Sequence, residues 1–234
     1  MPGITALIFA KYPIPGMVNT RMVPPLTNEQ AAALHEACLQ VVWERWGRLD
    51  GLRLKLVVTP DERAEDLGHV LGAGADDVWA QGRGDLGARM FRAVDRSLTA
   101  GASGVILLGA DSPTLPQSTL ESAVASLAKH EGILGPCEDG GYYLLGLRRR
   151  CPALFREVLW GQAGVADQTR ARAAAEGLDL FQLPVWYDLD RFEDLERALW
   201  DIPSNVGDAD PATMALRLIL EACAGKMPGC DTDG

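Results

Sequence analysis

Residues 104–113 read Gly-Val-Ile-Leu-Leu-Gly-Ala-Asp-Ser-Pro: an unbroken apolar run that ends abruptly on an acid, Asp111. A short run without polar alternation is a strand covered on both faces, as in the middle of a parallel sheet. Residues 4–10 read the same way at the start of the chain, and residues 52–59 give a second such strand. Shorter strand signals follow at 77–80, 132–134, 142–147 and 179–183. Helical spacing fills the gaps. Thr27 and Gln30 form a capping box ahead of a stripe of Leu34, Cys38, Val41, Val42 and Trp46. Thr59, Pro60 and Glu62 predict the cap, first-turn proline and capping-box acid of the next helix. Further helices are predicted over 86–98, 117–129, 165–176, 192–200 and 211–224. Strands alternating with helices predict an α/β fold: a three-layer α/β/α sandwich around a Rossmann-like, mostly parallel sheet. No repeat or linker divides the chain, so residues 1–225 are expected to form a single domain and 226–234 a loose tail.

The bulk properties narrow the function. Of 234 residues, 47% are hydrophobic and 23% charged, close to globular averages. Mean hydropathy is zero, and no apolar run approaches the roughly 18 residues of a spanning helix. No basic stretch followed by a long apolar run opens the chain. The net charge of −10 (22 basic against 32 acidic residues) disfavours nucleic acid and anionic membrane as partners. The five cysteines, Cys38, Cys137, Cys151, Cys223 and Cys230, are odd in number and form no C-x-x-C pair. That usage fits reduced thiols and a cytoplasmic protein. His35, His69 and His130 lie far apart, so a metal here should be a hard cation, Mg or Mn, held by carboxylates.

In an open parallel sheet, ligands sit beyond the carboxyl ends of the strands. The segment from Ala10 to Arg21 follows the first strand, is stiffened by Pro13, Pro15 and Gly16, and is bracketed by Lys11 and Arg21. Backbone N–H groups with a lysine and an arginine suit a di- or triphosphate, although the segment equally reads as a structural loop with two solvated cations. Asp111 leaves the most apolar strand, where a carboxylate can hold a divalent ion against a diphosphate. Glu138, Asp139, Gly140 and Gly141 precede a strand. An acid there can orient or deprotonate an acceptor, and the alternative is a β-turn with solvated acids. Asp188 and Asp190 alternate along an extended segment, so both can face one cation, or one can cap the helix that follows. Gly84, Asp85 and Gly87 surround a helix start, a position that suits an anion or a base edge. No P-loop, dinucleotide fingerprint or nucleophile elbow occurs. His35 reads as structural, and Cys137 as packing beside the Glu138 loop.

In the order FAKYPIPGMVNTR, GDLGARM, GADSP, EDGGYYLLGL and DLD followed by EDL, these segments resemble the small bacterial nucleotide-diphospho-sugar transferase-like family. That family is linked with radical-SAM or selenium-related gene neighbourhoods, is provisionally named as glycosyltransferases, and is akin to phospholactate guanylyltransferases. The resemblance spans residues 4–200. It implies a GT-A-type fold, a nucleotide-linked small-molecule donor and a divalent metal. On that reading Lys11, Arg21 and Gly16 face phosphate, and Gly84, Asp85 and Gly87 help hold the nucleotide. Asp111, Asp188 and Asp190 match metal ligands, Asp139, Gly140 and Gly141 match the acceptor-side loop, and Asp139 or Glu138 is the candidate base. Asn19 stands where the family commonly has lysine, Ala88 where it has an acid, and Arg191-Phe192 where it has Thr-Pro. Two other functions share these parts: nucleotidyl transfer to a phosphorylated small molecule, and nucleotide binding without catalysis. The sequence carries no signal for a particular acceptor or oligomeric state.

Overall fold

The computed structural model describes residues 3–202 and 210–225. The strands are β1 (Ile4–Lys11), β2 (Leu52–Thr59), β3 (Val78–Ala80), β4 (Gly104–Leu108), β5 (Gly132–Pro136), β6 (Tyr142–Leu147) and β7 (Leu180–Gln182). They form one seven-stranded sheet in the order β3-β2-β1-β4-β6-β5-β7. β6 runs antiparallel to β4 and β5, and the remaining pairings are parallel. The apolar run at 104–108 is a central strand and every residue of it is buried.

Strand side chains alternate between two cores, which makes the layers visible residue by residue. Ala6, Ile8, Leu56, Val58, Ile106 and Ile133 pack on α1 (Asn28–Gly47), α2 (Ala64–Leu71) and α4 (Gln117–Leu127). Leu7, Val57, Val105, Leu107, Leu134 and Leu145 face the other way, onto α3 (Leu86–Thr99) and α5 (Val165–Ala175). Beyond α1, a third apolar cluster joins it to α6 (Asp194–Asp201) and α7 (Pro211–Ala224). This is the expected α/β/α sandwich. The tail expected over 226–234 lies outside the described residues.

Local chemistry sets the ends of these elements. The Thr27 hydroxyl accepts from the Gln30 backbone N–H and the Gln30 side chain accepts from Thr27, so α1 opens on the predicted capping box. The helix expected at Thr59 and Pro60 starts later. Thr59 is the last residue of β2, paired with Lys11, and a 3-10 turn (Asp61–Arg63) without a side-chain cap intervenes before Ala64. The helix expected from Phe192 begins at Asp194, because Phe192 is buried in the third cluster.

β1 lies between β2 on one side and β4 on the other, so the direction of winding reverses there. A crevice opens at such a reversal, outside the carboxyl ends of the strands. The antiparallel β6 contributes its N-terminal end to the same edge, bringing Tyr142 and Tyr143 beside the residues that follow β4. Arg45 of α1 fixes that edge from below. Its guanidinium donates to the carbonyls of Pro113 at 2.8 Å and Leu115 at 2.5 Å, clamping the turn after Asp111.

Candidate active site

A cleft of about 700 Å³ occupies the crevice. Lys11, Arg21, Asp111, Asp139, Gly141, Asp188 and Asp190 all line it, drawn from four separated stretches of chain. The distant acids meet for identifiable reasons. A bridge pairs Cys137, just past β5, with Trp186. The Leu189 N–H donates to the Asp111 carbonyl at 2.6 Å. Those two contacts hold the 186–190 segment between the ends of β4 and β5.

The carboxylates differ in their surroundings. Asp111 is an exposed residue that lines the cleft, and its side chain makes no hydrogen bond among the described residues. Desolvation by the cleft walls and the neighbouring Asp190 push its carboxyl upward. Asp188 accepts from the Ser112 hydroxyl at 2.6 Å and the Cys137 thiol at 3.1 Å. Burial, reinforced by Asp111, still raises it to about 6. Asp139 accepts from the Gly141 N–H at 2.7 Å through one oxygen. Asp190 is tied to Arg21 at 2.6 Å, so one expected metal ligand and one expected phosphate cation neutralise each other.

These residues fit a hard divalent ion. An unpartnered carboxylate in the cleft beside a second, half-buried one is electrostatically costly, and a cation between them relieves that cost. Cys137, Asp139 and Asp188 also bring potential ligand atoms within 4.8 Å of one another. Burial and Asp188 hold the Cys137 thiol far above its ordinary range, which keeps it protonated.

The raised carboxyl of Asp188 has a measurable consequence. Its contribution to stability is complete below the unfolded value of about 3.9 and is lost as pH rises through about 6. Asparagine keeps the acceptor for Ser112 but cannot ionise. In chelator, Asp188→Asn should therefore gain stability relative to the unsubstituted protein between about pH 4 and about pH 7, on the order of 1 kcal/mol. Denaturant melts across that range check this, and a pH-independent difference would rule out the crowding.

Several expected site residues lie elsewhere. Glu138 is outside the cleft lining and is held by both guanidinium nitrogens of Arg197, at 2.8 and 2.9 Å. That pairing lowers its carboxyl and makes it a poor base. Asp85 caps α3 by accepting from the Ala88 N–H at 2.8 Å. Gly87 packs α3 against the Phe155 backbone. Gly16, Gly84 and Gly140 take left-handed backbone conformations in loops at the rim, without lining the cleft.

Other lining residues lie outside the predicted site set. Thr59 and Gln81 follow β2 and β3, and His35 reaches the cleft from α1. The His35 Nε2 lies 3.1 Å from the Lys11 carbonyl and anchors the first loop. Arg89 belongs to the GDLGARM segment, bonds the Gly84 carbonyl at 2.8 Å, and keeps that loop folded back. Tyr142 and Trp160 meet edge to face, with ring centroids 6.4 Å apart, and line the cleft beside Leu86, Met90 and Gln162.

A family model described as "Uncharacterized protein conserved in bacteria (DUF2064)" matches residues 42–162, which contain β4, Asp111 and the Glu138–Gly141 turn. The chain belongs to the DUF2064 family. A crystal structure from Desulfovibrio desulfuricans G20, provisionally named a nucleotide-diphospho-sugar transferase, is similar to this DUF2064 protein. The two share 30% identity and a TM-score of 0.84 over 95% of this chain and 99% of that one. A cytidylyltransferase from Leptospira borgpetersenii shares the fold at 14% identity, with a TM-score of 0.55 over 97% and 99% of the two chains. A 4-diphosphocytidyl-2C-methyl-D-erythritol synthase from Anaerococcus prevotii does so at 13% identity, with a TM-score of 0.54 over 82% and 92%. No functionally curated protein matches the sequence. Among the described residues of this DUF2064 chain, no helix is long and apolar enough to cross a membrane.

Proposed function

We propose that this DUF2064 protein is a metal-dependent transferase that moves a sugar from a nucleotide-diphospho-sugar to a hydroxyl acceptor. One observation carries the reading. Asp111, Asp188 and Asp190 line a single cleft at the carboxyl edge of the sheet together with Lys11 and Arg21. The similarity to the Desulfovibrio protein supports the same class.

Asp111 and the free oxygen of Asp188 would hold Mg or Mn, which when bound supplies positive charge against a diphosphate. Lys11 would hold the terminal phosphate oxygens from the β1 side. Arg21 would join it once Asp190 turns to the metal, exchanging one anionic partner for another. Asp139 keeps one carboxylate oxygen that accepts no hydrogen bond among the described residues and is the group that would take the acceptor proton. The acceptor oxygen then bonds the anomeric carbon, the bond from that carbon to the phosphate oxygen breaks, and the nucleoside diphosphate leaves with the electron pair.

The acceptor side favours sugar transfer over nucleotidyl transfer. Between Asp139 and Val165 the lining residues are Asp139, Gly141, Tyr142, Tyr143, Trp160, Gly161, Gln162 and Val165, and none is a cation. A phosphorylated acceptor would meet a carboxylate and aromatic rings there. A neutral hydroxyl compound with an apolar or ring face would find a stacking surface and a base.

Isothermal titration with nucleotides and nucleotide sugars, with and without Mn²⁺, tests the donor and metal. Product analysis with neutral and phosphorylated acceptors then tests the acceptor. Binding without turnover of any donor would leave a nucleotide-binding protein instead. Trp160→Leu should raise the acceptor KM about tenfold, equivalent to about 1.4 kcal/mol, while nucleotide affinity stays unchanged. An unaltered KM would remove Trp160 from the acceptor surface.

A further inference from the structure

We propose that Cys137 and Ser112 are positioning residues that pin one oxygen of Asp188 so that its other oxygen is presented, uncompensated, to a divalent cation in the cleft. This rests on the metal assignment above. Both donors converge on one atom: the Ser112 hydroxyl reaches Asp188 Oδ1 at 2.6 Å and the Cys137 thiol reaches the same oxygen at 3.1 Å. An ionised carboxylate only accepts, so the proton of the second contact sits on sulfur. Asp188 Oδ2 has no hydrogen-bond partner among the described residues.

The chemistry of the donors matters. Asp190 is held by an arginine, which fixes it and cancels its charge at the same time. Asp188 is held by two neutral groups, which fix its rotation and leave the charge intact. Partners behind a metal-binding carboxylate orient it and tune its affinity, and their loss typically costs 10–100-fold.

The same residues admit a rival role for Cys137, as a sulfur ligand in the Cys137–Asp139–Asp188 group. Its placement argues against that. Cys137 is 6% exposed, and neither it nor Ser112 lines the cleft that Asp188 lines. Its backbone is fixed on both sides, by the Gly141 carbonyl at 3.0 Å and by the bridge to Trp186. The thiol therefore stands behind the carboxylate, and the cation would lie in front of it.

The test measures Mn²⁺ affinity directly, by electron paramagnetic resonance of free Mn²⁺ in the presence of a nucleoside diphosphate. The unsubstituted protein is compared with Cys137→Ser, Cys137→Ala and Ser112→Ala, with a thermal melt of each. Cys137→Ser keeps a neutral donor and should stay close to the unsubstituted protein. Cys137→Ala and Ser112→Ala should each weaken Mn²⁺ about tenfold. Replacing Mn²⁺ by Co²⁺ should give a spectrum without a sulfur-to-cobalt charge-transfer band. Unchanged affinity in both alanine variants overturns the proposal and leaves the metal site standing. A sulfur-to-cobalt band, or a serine variant as weak as the alanine variant, makes Cys137 a ligand and also overturns it. If the unsubstituted protein binds no Mn²⁺, the metal assignment itself fails, and the positioning role with it. Should Cys137→Ala not fold, Ser112→Ala decides, because it removes the other donor to the same oxygen.

Discussion

Asp111→Asn is expected to abolish Mn²⁺-dependent nucleotide binding, with a loss of at least about 100-fold, the upper end of what removing even an indirect partner of a metal costs. The reason is positional. Asp111 is the carboxylate just past the end of the central strand, it lines the cleft, and no donor among the described residues competes for it. The same substitution should leave the fold as stable as before or more so. Desolvation by the cleft walls and Asp190 already disfavour the ionised form, and a neutral amide of equal shape removes that cost. Lost binding with retained or raised stability is the signature of a functional group held at a cost to the fold. Calorimetry in Mn²⁺ and melts in chelator read the two halves independently. Full retention of metal-dependent binding would sink the transferase reading. Loss of binding together with a large loss of stability would reassign Asp111 to structure.

Much of this was legible in the sequence because it is local. The apolar run at 104–108, the capping box at Thr27 and the placement of acids after strands each depend on neighbours within a few residues. The alternation of strand side chains between two cores follows from the same period of two. The direction of β6 was not among the sequence expectations, and the strand ends explain it. Residues 137–141 are too few for a crossover between parallel strands, so β6 must turn back on β5. Long-range pairing was not legible. Arg21 finds Asp190 across 169 positions, and Arg197 finds Glu138 across 59. Charge composition cannot say which acid an arginine will choose, so Glu138 read as a base and Asp190 as a free ligand. Cys137 read as packing because the polar partner of its thiol, Asp188, is 51 residues away. Trp160 sits in an irregular loop with no periodicity, so nothing marked it as part of the cleft wall. Gly84, Asp85 and Gly87 read as nucleotide-facing, because glycines before a helix serve both ligand approach and close packing, and only the packed partner tells them apart.

Gly87 separates those two uses most sharply. Gly87→Ala should destabilise the protein by about 2–3 kcal/mol, although alanine in a helix is ordinarily worth up to about 1 kcal/mol over glycine. A Cβ built on Gly87 would lie 2.0 Å from the Phe155 carbonyl oxygen and 3.0 Å from the Trp160 Nε1. The first of these is backbone and cannot swing aside, so the start of α3 or the 155–160 loop must retreat. Both sides of that seam belong to the cleft: Leu86, Arg89 and Met90 on one, Trp160 on the other. Retreat should therefore weaken nucleotide and acceptor binding together with stability. Gly47→Ala is the matched control. It lies at the end of α1, where an added Cβ meets only the Leu54 side chain at an ordinary 3.5 Å, and it should be neutral or stabilising. Chemical denaturation of both variants distinguishes the effects. If Gly87→Ala melts like the control, α3 is not seated on the Phe155 backbone, and the wall that carries Leu86 and Arg89 is positioned by something other than this contact.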